Sequence, residues 1–90
     1  MREIVRVAAF KRDVKKLQRQ GKDIRALLNI FDILANDGPI PLRYRDHALK
    51  GNWQGCRELH IESDWLLIYE IVDNTLYLER TGSHAELFNS

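Results

Sequence analysis

Three histidines stand in the second half of this 90-residue chain, His47, His60 and His84, with Asp64 and Arg80 close to them in sequence. Such a set suits phosphodiester cleavage in RNA, which needs few groups. A base removes the 2′-hydroxyl proton, an acid protonates the departing 5′-oxygen, and cations or donors stabilise charge on the phosphoryl oxygens. Imidazole, with a reference pKa of about 6.5, can take either of the first two roles near neutrality. Arg80 or Lys50 can supply the cation, and arginine is favoured for its two-pronged fit to phosphate.

Each of these residues also has a plainer reading. A histidine is more often a surface or hydrogen-bonded residue than a catalyst. A site of three histidines with Asp64 could hold a metal, but no spacing matches a compact ligand motif, so no metal or other cofactor is expected. Trp53 and Trp65 could stack on bases, although a tryptophan beside an apolar strand more often packs in the core. Phe88 is expected to dock rather than to hang free.

Residues 2–7 have β-branched bulk in Ile4, Val5 and Val7 and predict a strand. Phe10, Val14 and Leu17, set among Lys11, Arg12, Lys15, Lys16 and Arg19, predict a basic amphipathic helix closed by Gly21. A second helix runs from about Asp23 with Ile24, Leu27, Leu28, Phe31, Leu34 and Ala35 on one stripe. It ends at Asn36-Asp37-Gly38-Pro39. Their short connection predicts an antiparallel hairpin.

Residues 38–54 hold both prolines and read as an extended, loop-rich connector. Three strands follow, near Cys56–Glu62, Trp65–Val72 and Leu76–Arg80, with Ser63-Asp64 and Asp73-Asn74 as turns. The nearly all-apolar Trp65–Val72 should be central and covered on both faces. Residues 83–88 read as a helical turn or a loop. The expectation is a single α+β domain over residues 1–90, ordered β-α-α-β-β-β. Its helical hairpin covers one face of a mostly antiparallel sheet and leaves the other partly open.

Strand alternation assigns the faces. With Leu59 and Ile61 inward, Glu58, His60 and Glu62 lie opposite, and Asp64 falls in the turn. Leu76, Leu78 and Arg80 would share one face. His47 sits in the connector.

Composition excludes several classes. The single cysteine, Cys56, rules out an intramolecular disulfide and a cysteine-rich zinc site. The longest apolar run, Trp65–Tyr69, is too short to cross a bilayer and the first residues mix charge with apolar side chains, so a soluble, cytoplasmic protein without membrane association is expected. The net charge of +1 hides an asymmetry. Through Lys50 there are 12 Lys and Arg against 6 Asp and Glu, and from Gly51 onward 2 against 7. The basic half could attract a polyanion, although helix surfaces are commonly lysine-rich.

The stretch Asp46-His47-Ala48-Leu49-Lys50-Gly51-Asn52-Trp53 resembles the DHxLxGxW segment of YafQ-type toxins in the RelE/ParE superfamily. The resemblance continues through Arg57–Tyr69 and resumes at Glu79-Arg80-Thr81-Gly82-Ser83-His84-Ala85-Glu86-Leu87-Phe88. It implies a RelE-like, microbial-ribonuclease-like fold and an mRNA interferase that cuts mRNA on the translating 70S ribosome. It also implies a cognate antitoxin as partner, with operator DNA bound only through the antitoxin complex. The family's catalytic positions fall on His47, His60, Asp64 and His84, with Phe88 completing the site. Arg80 and Glu58 stand at positions linked with activity. In this reading His84 protonates the leaving oxygen, His47 or Asp64 is the base, His60 orients the phosphate or stabilises its charge, and Arg80 grips the phosphate. Two rivals remain, a ParE-like gyrase-targeting toxin and a non-enzymatic binding module. The histidines, Asp64 and residues 83–88 favour RNA cleavage.

Overall fold

The computed structural model describes residues 1–88 as one five-stranded sheet with three helices. Strand β1 (Glu3–Arg6) leads into α1 (Ala8–Arg19) and α2 (Arg25–Ala35). A connector with two short 3-10 turns and strand β2 (His47–Ala48) follows. Then come β3 (Arg57–Glu62), β4 (Trp65–Val72), β5 (Thr75–Gly82) and α3 (His84–Phe88). The sheet order is β1-β5-β4-β3-β2; β1 runs parallel to β5 and every other pair is antiparallel.

Gly21 ends α1 as expected. Its φ of 83° lets the Lys22 N–H reach Leu17 O at 3.0 Å and the Gly21 N–H reach Gln18 O at 3.1 Å, which satisfies carbonyls of the last turn. Helix α2 closes in the same manner, but the left-handed position is Asp37 (φ 56°) rather than the adjacent glycine. Gly38 N–H then donates to Ile33 O at 3.0 Å. The Arg2 guanidinium caps the same end by donating to Leu34 O at 2.8 Å, which ties β1 to α2.

Both long helices pack on one face of the sheet. Phe10, Leu17, Leu27, Ile30 and Leu34 meet Leu59, Trp65, Leu67, Tyr69, Leu76 and Leu78 in one core. Strand β4 is central, and Trp65 through Tyr69 are all buried, as its apolar run predicts. Alternation sends Leu66 and Ile68 to the opposite face. There Cys56, Leu87, Leu49 and Trp53 cover them in a second, smaller core. The open face is thus partly closed by the connector and by α3, which is helical rather than a loop.

Two irregularities change side-chain directions from strict alternation. In β3 the register shifts between His60 and Glu62, leaving Ile61 as the extra residue. Glu62 therefore pairs with Trp65 and meets Lys22 at 3.0 Å, instead of sharing the face of Glu58 and His60. In β5 Tyr69 pairs with Leu78 and Ile68 with Arg80, so Glu79 is the inserted residue. Arg80 is thereby released from the row of Leu76 and Leu78 that alternation predicted.

Candidate active site

The connector, β3 and α3 bring the three histidines into one row. The His47 and His60 ring centroids lie 6.1 Å apart, and those of His60 and His84 lie 5.8 Å apart. His84 and Phe88 continue the row at 5.9 Å, and Trp53 meets Phe88 edge-on at 6.2 Å. Residues far apart in sequence thus share one surface because β2 adds to β3 and α3 folds back over the same sheet face.

Glu58 lies beneath this row and is 4% exposed. Its Oε2 is 3.2 Å from His47 Nε2 and 3.4 Å from His60 Nε2, so the buried carboxylate lies between two imidazoles. His47 Nδ1 faces the backbone carbonyl of Arg45 at 2.8 Å. A carbonyl only accepts, so Nδ1 carries hydrogen and donates to it. His60 Nδ1 faces the Arg45 Nη2 donor at 3.3 Å, so that nitrogen accepts and the proton sits on Nε2, toward Glu58. Burial, and then the Arg45 charge, hold His60 below the usual imidazole range, which favours this neutral form.

His84 is placed by a different set of contacts. Ser83-His84-Ala85-Glu86 forms a reciprocal cap: Glu86 N–H donates to Ser83 Oγ at 3.2 Å, and Ser83 N–H donates to Glu86 Oε1 at 3.1 Å. Glu86 also pairs with Lys16 of α1. These contacts fix a five-residue helix that would not hold alone. Asp64 Oδ1 accepts the His84 backbone N–H at 3.1 Å and lies 3.5 Å from its Nδ1. The other ring nitrogen, Nε2, has no partner among the described residues.

The remaining predicted residues fall as follows. Arg80 donates from Nε to Asp13 Oδ2 at 2.6 Å and from Nη2 to Oδ1 at 3.1 Å, and the Thr81 N–H donates to the same carboxylate at 3.1 Å. Most of its fork therefore faces α1. Lys50 is exposed and makes no side-chain hydrogen bond or ion pair among the described residues. Trp65 is core, 1% exposed, with its indole N–H donating to Thr81 Oγ1 at 2.9 Å. Cys56 is no nucleophile: burial, then Glu70, pushes its thiol up to about 11.

Sequence reasoning passed over Arg45, Asp46 and Asp13. Arg45 takes a left-handed backbone (φ 50°). Asp46 anchors the connector by accepting from Arg57 at 2.7 Å and from the buried Tyr69 hydroxyl. Asp13 did carry a signal, as the single acid within basic α1. Three side chains lie close enough to share a metal ion: His47, Glu58 and His60 offer ligand atoms within 4.8 Å of one another. That set is not the three histidines with Asp64 that the sequence suggested.

A family model described as a bacterial toxin of type II toxin–antitoxin systems, YafQ, matches residues 2–89. The mRNA interferase toxin YafQ of Escherichia coli K12 is 43% identical over 88 residues, 97% of this chain and 96% of that protein. Among solved structures, YafQ in the E. coli DinJ–YafQ complex superposes with a TM-score of 0.91 at 42% identity, covering 99% of this chain and all of that one. A copper-bound mutant toxin from Helicobacter pylori superposes with a TM-score of 0.93 at 39% identity, covering 98% and 100%. Sequence motifs, sheet order and full-length similarity agree, and the chain belongs to the YafQ family of toxins of bacterial type II toxin–antitoxin systems.

Proposed function

We propose that this toxin is an endoribonuclease that cleaves mRNA on the translating ribosome by metal-independent acid–base chemistry. The observation that carries this reading is the row His47–His60–His84 beside Asp64. The E. coli relative is named an mRNA interferase, and its identity of 43% extends along the whole chain.

Geometry favours particular roles. The 2′-oxygen attacks phosphorus, the bond to the 5′-oxygen breaks, and the products are a 2′,3′-cyclic phosphate and a free 5′-hydroxyl. His84, with Nδ1 toward Asp64 and Nε2 open, is suited to protonate the leaving 5′-oxygen. Both nitrogens of His47 are engaged, by Arg45 O and by Glu58, whereas only Oδ1 of Asp64 is used. That asymmetry favours Asp64 as the base at the 2′-hydroxyl. His60, held neutral, orients the row through Glu58 rather than supplying charge. Phe88, 40% exposed beside His84, offers a face to a nucleobase. The test is cleavage of ribosome-bound mRNA with end-group analysis of the products. A 5′-phosphate product, or loss of cleavage in a chelator that leaves ribosomes intact, contradicts the mechanism.

The antitoxin partner has a fitting surface on the helical hairpin. A groove of about 370 Å³ between α1 and α2 has an apolar floor of Phe10, Val14, Leu27 and Phe31 and a rim with Arg6, Lys11 and Lys15. An acidic antitoxin segment with apolar anchors would cover it; the E. coli relative forms a DinJ–YafQ toxin–antitoxin complex. Operator DNA would then be bound through the antitoxin.

A second reading concerns metal as an inhibitor. The copper-bound H. pylori toxin and the two-nitrogen, one-carboxylate set of His47, Glu58 and His60 favour it. Copper bound there would occupy His47 and His60 and slow cleavage. Equal rates with and without added copper would exclude such inhibition.

A further inference from the structure

Arg45 holds a position that no other basic residue of this fold shares. Its Nη2 is 3.3 Å from His60 Nδ1, which places the guanidinium against the middle of the histidine row. Several other basic side chains around the sheet are committed to carboxylates: Arg57 to Asp46, Arg80 to Asp13, Lys16 to Glu86 and Lys22 to Glu62. Lys50, exposed and unpaired among the described residues, makes no hydrogen bond to a histidine of the row. Among the described residues Arg45 has no carboxylate partner, and its side chain is exposed. The row itself contains two carboxylates, Glu58 and Asp64, so an incoming phosphodiester needs a cation there.

This arginine is also held in place. Its N–H donates to Leu42 O at 3.0 Å, its carbonyl accepts from His47, and the next residue, Asp46, is clamped by Arg57 and Tyr69. A left-handed backbone at a non-glycine residue is uncommon, and here those contacts enforce it. We infer that Arg45 is a phosphate-binding residue of the active site, taking the phosphoryl oxygens of an RNA strand laid across His60 and His84. The planar fork can leave His60 Nδ1 and meet two phosphoryl oxygens together. This rests on the ribonuclease reading above and adds to it the main cation at the scissile phosphate.

The experiment measures binding of a short, non-cleavable 2′-O-methyl oligoribonucleotide by fluorescence anisotropy across a salt series, alongside cleavage of ribosome-bound mRNA. Arg45→Ala should weaken binding roughly 10- to 100-fold. It should also flatten the slope of log affinity against log salt by about 0.7, the value for one phosphate contact on a single strand. Arg45→Lys should restore the slope while kcat/KM stays low, because a point charge keeps the ion contact but not the fork. Arg45→Asn tolerates the left-handed backbone and serves if the alanine variant fails to fold. Arg25→Ala, which removes a charge already paired with Asp23, should leave slope and cleavage unchanged. If folded Arg45 variants keep wild-type affinity, slope and cleavage while the wild type binds and cuts, the Arg45 assignment is wrong and the ribonuclease reading stands. If the wild type neither binds nor cuts, both fall.

Discussion

Arg80 Nε lies 2.6 Å from Asp13 Oδ2, which ties the last turn of β5 to the middle of α1. The pair is partly buried, with side chains 30% and 14% exposed, and the Thr81 N–H shares the same carboxylate. Asp13→Asn should therefore destabilise the domain by about 1–3 kcal/mol, since it leaves a half-buried guanidinium without its charged acceptor. Arg80→Lys should lower cleavage as well. If Arg80 acts through its hold on α1, the double variant will be no slower than the worse single one; additive losses would show a separate contact with substrate.

His84→Ala, in protein shown folded by circular dichroism, should slow single-turnover cleavage of ribosome-bound mRNA by about 10²- to 10⁴-fold, the range for loss of a general acid. His84→Gln should fall nearly as far although it keeps a donor. A folded alanine variant retaining more than about a tenth of the wild-type rate lies outside that range and removes His84 from the role of acid.

Tyr69→Phe tests the connector anchor. The Tyr69 hydroxyl is buried against Asp46, and burial followed by that carboxylate raises it above the usual phenol range. Phenylalanine keeps the ring's packing and deletes one donor, so the stability cost should be about 1 kcal/mol. Because Asp46 sits between Arg45 and His47, the cleavage rate should drop more than stability does. Hydrogen exchange at residues 42–48 provides the check: unchanged protection with an unchanged rate would separate the anchor from function.

Acid should loosen α3 first. Lys16, then the Ser83 backbone, hold the Glu86 carboxyl down at about 2, below its ordinary 4.5. A carboxylate with a depressed folded value contributes stability that is fully present above 4.5 and lost as pH falls toward about 2. Glu86→Gln should flatten that part of the stability profile and raise exchange of the amides at 84–88 at neutral pH. An acid profile identical in the variant would show that the Lys16–Glu86 pair contributes nothing measurable.

Much of this molecule is written locally. The 3.6-residue stripe of α1, the Gly21 stop, the apolar run of β4 and the turns at Ser63-Asp64 and Asp73-Asn74 follow from short-range preferences, and the structure reproduces them. On α2 the stripe is shifted, since the predicted Leu28 is 58% exposed and Ile30 is buried in its place. Alternation in β3 correctly put Glu58 and His60 on one face because each lies before the bulge at Ile61. The motifs around His47, Asp64 and His84 hold residues that the structure gathers into the candidate site, but their spacing could not assemble them.

Tertiary structure decided the rest, because it depends on groups brought together from distant parts of the chain. Bulges at Ile61 and Glu79 arise where strand register must adjust between fixed neighbours; the first turned Glu62 toward Lys22 beside the helices, and the second set Arg80 opposite Ile68 while its guanidinium still reaches Asp13 of α1. The burial of Glu58 under two imidazoles required β2 to pair with β3, which two residues of connector could not announce. Arg45 carries neither glycine nor asparagine character to signal its left-handed backbone; only the clamp on Asp46 and the pairing of β2 with β3 set its guanidinium beside His60. Sequence thus determined which residues could do the chemistry, through types and local periodicity. Long-range pairing determined which nitrogens remain free, because hydrogen-bond partners are assigned only when distant segments meet.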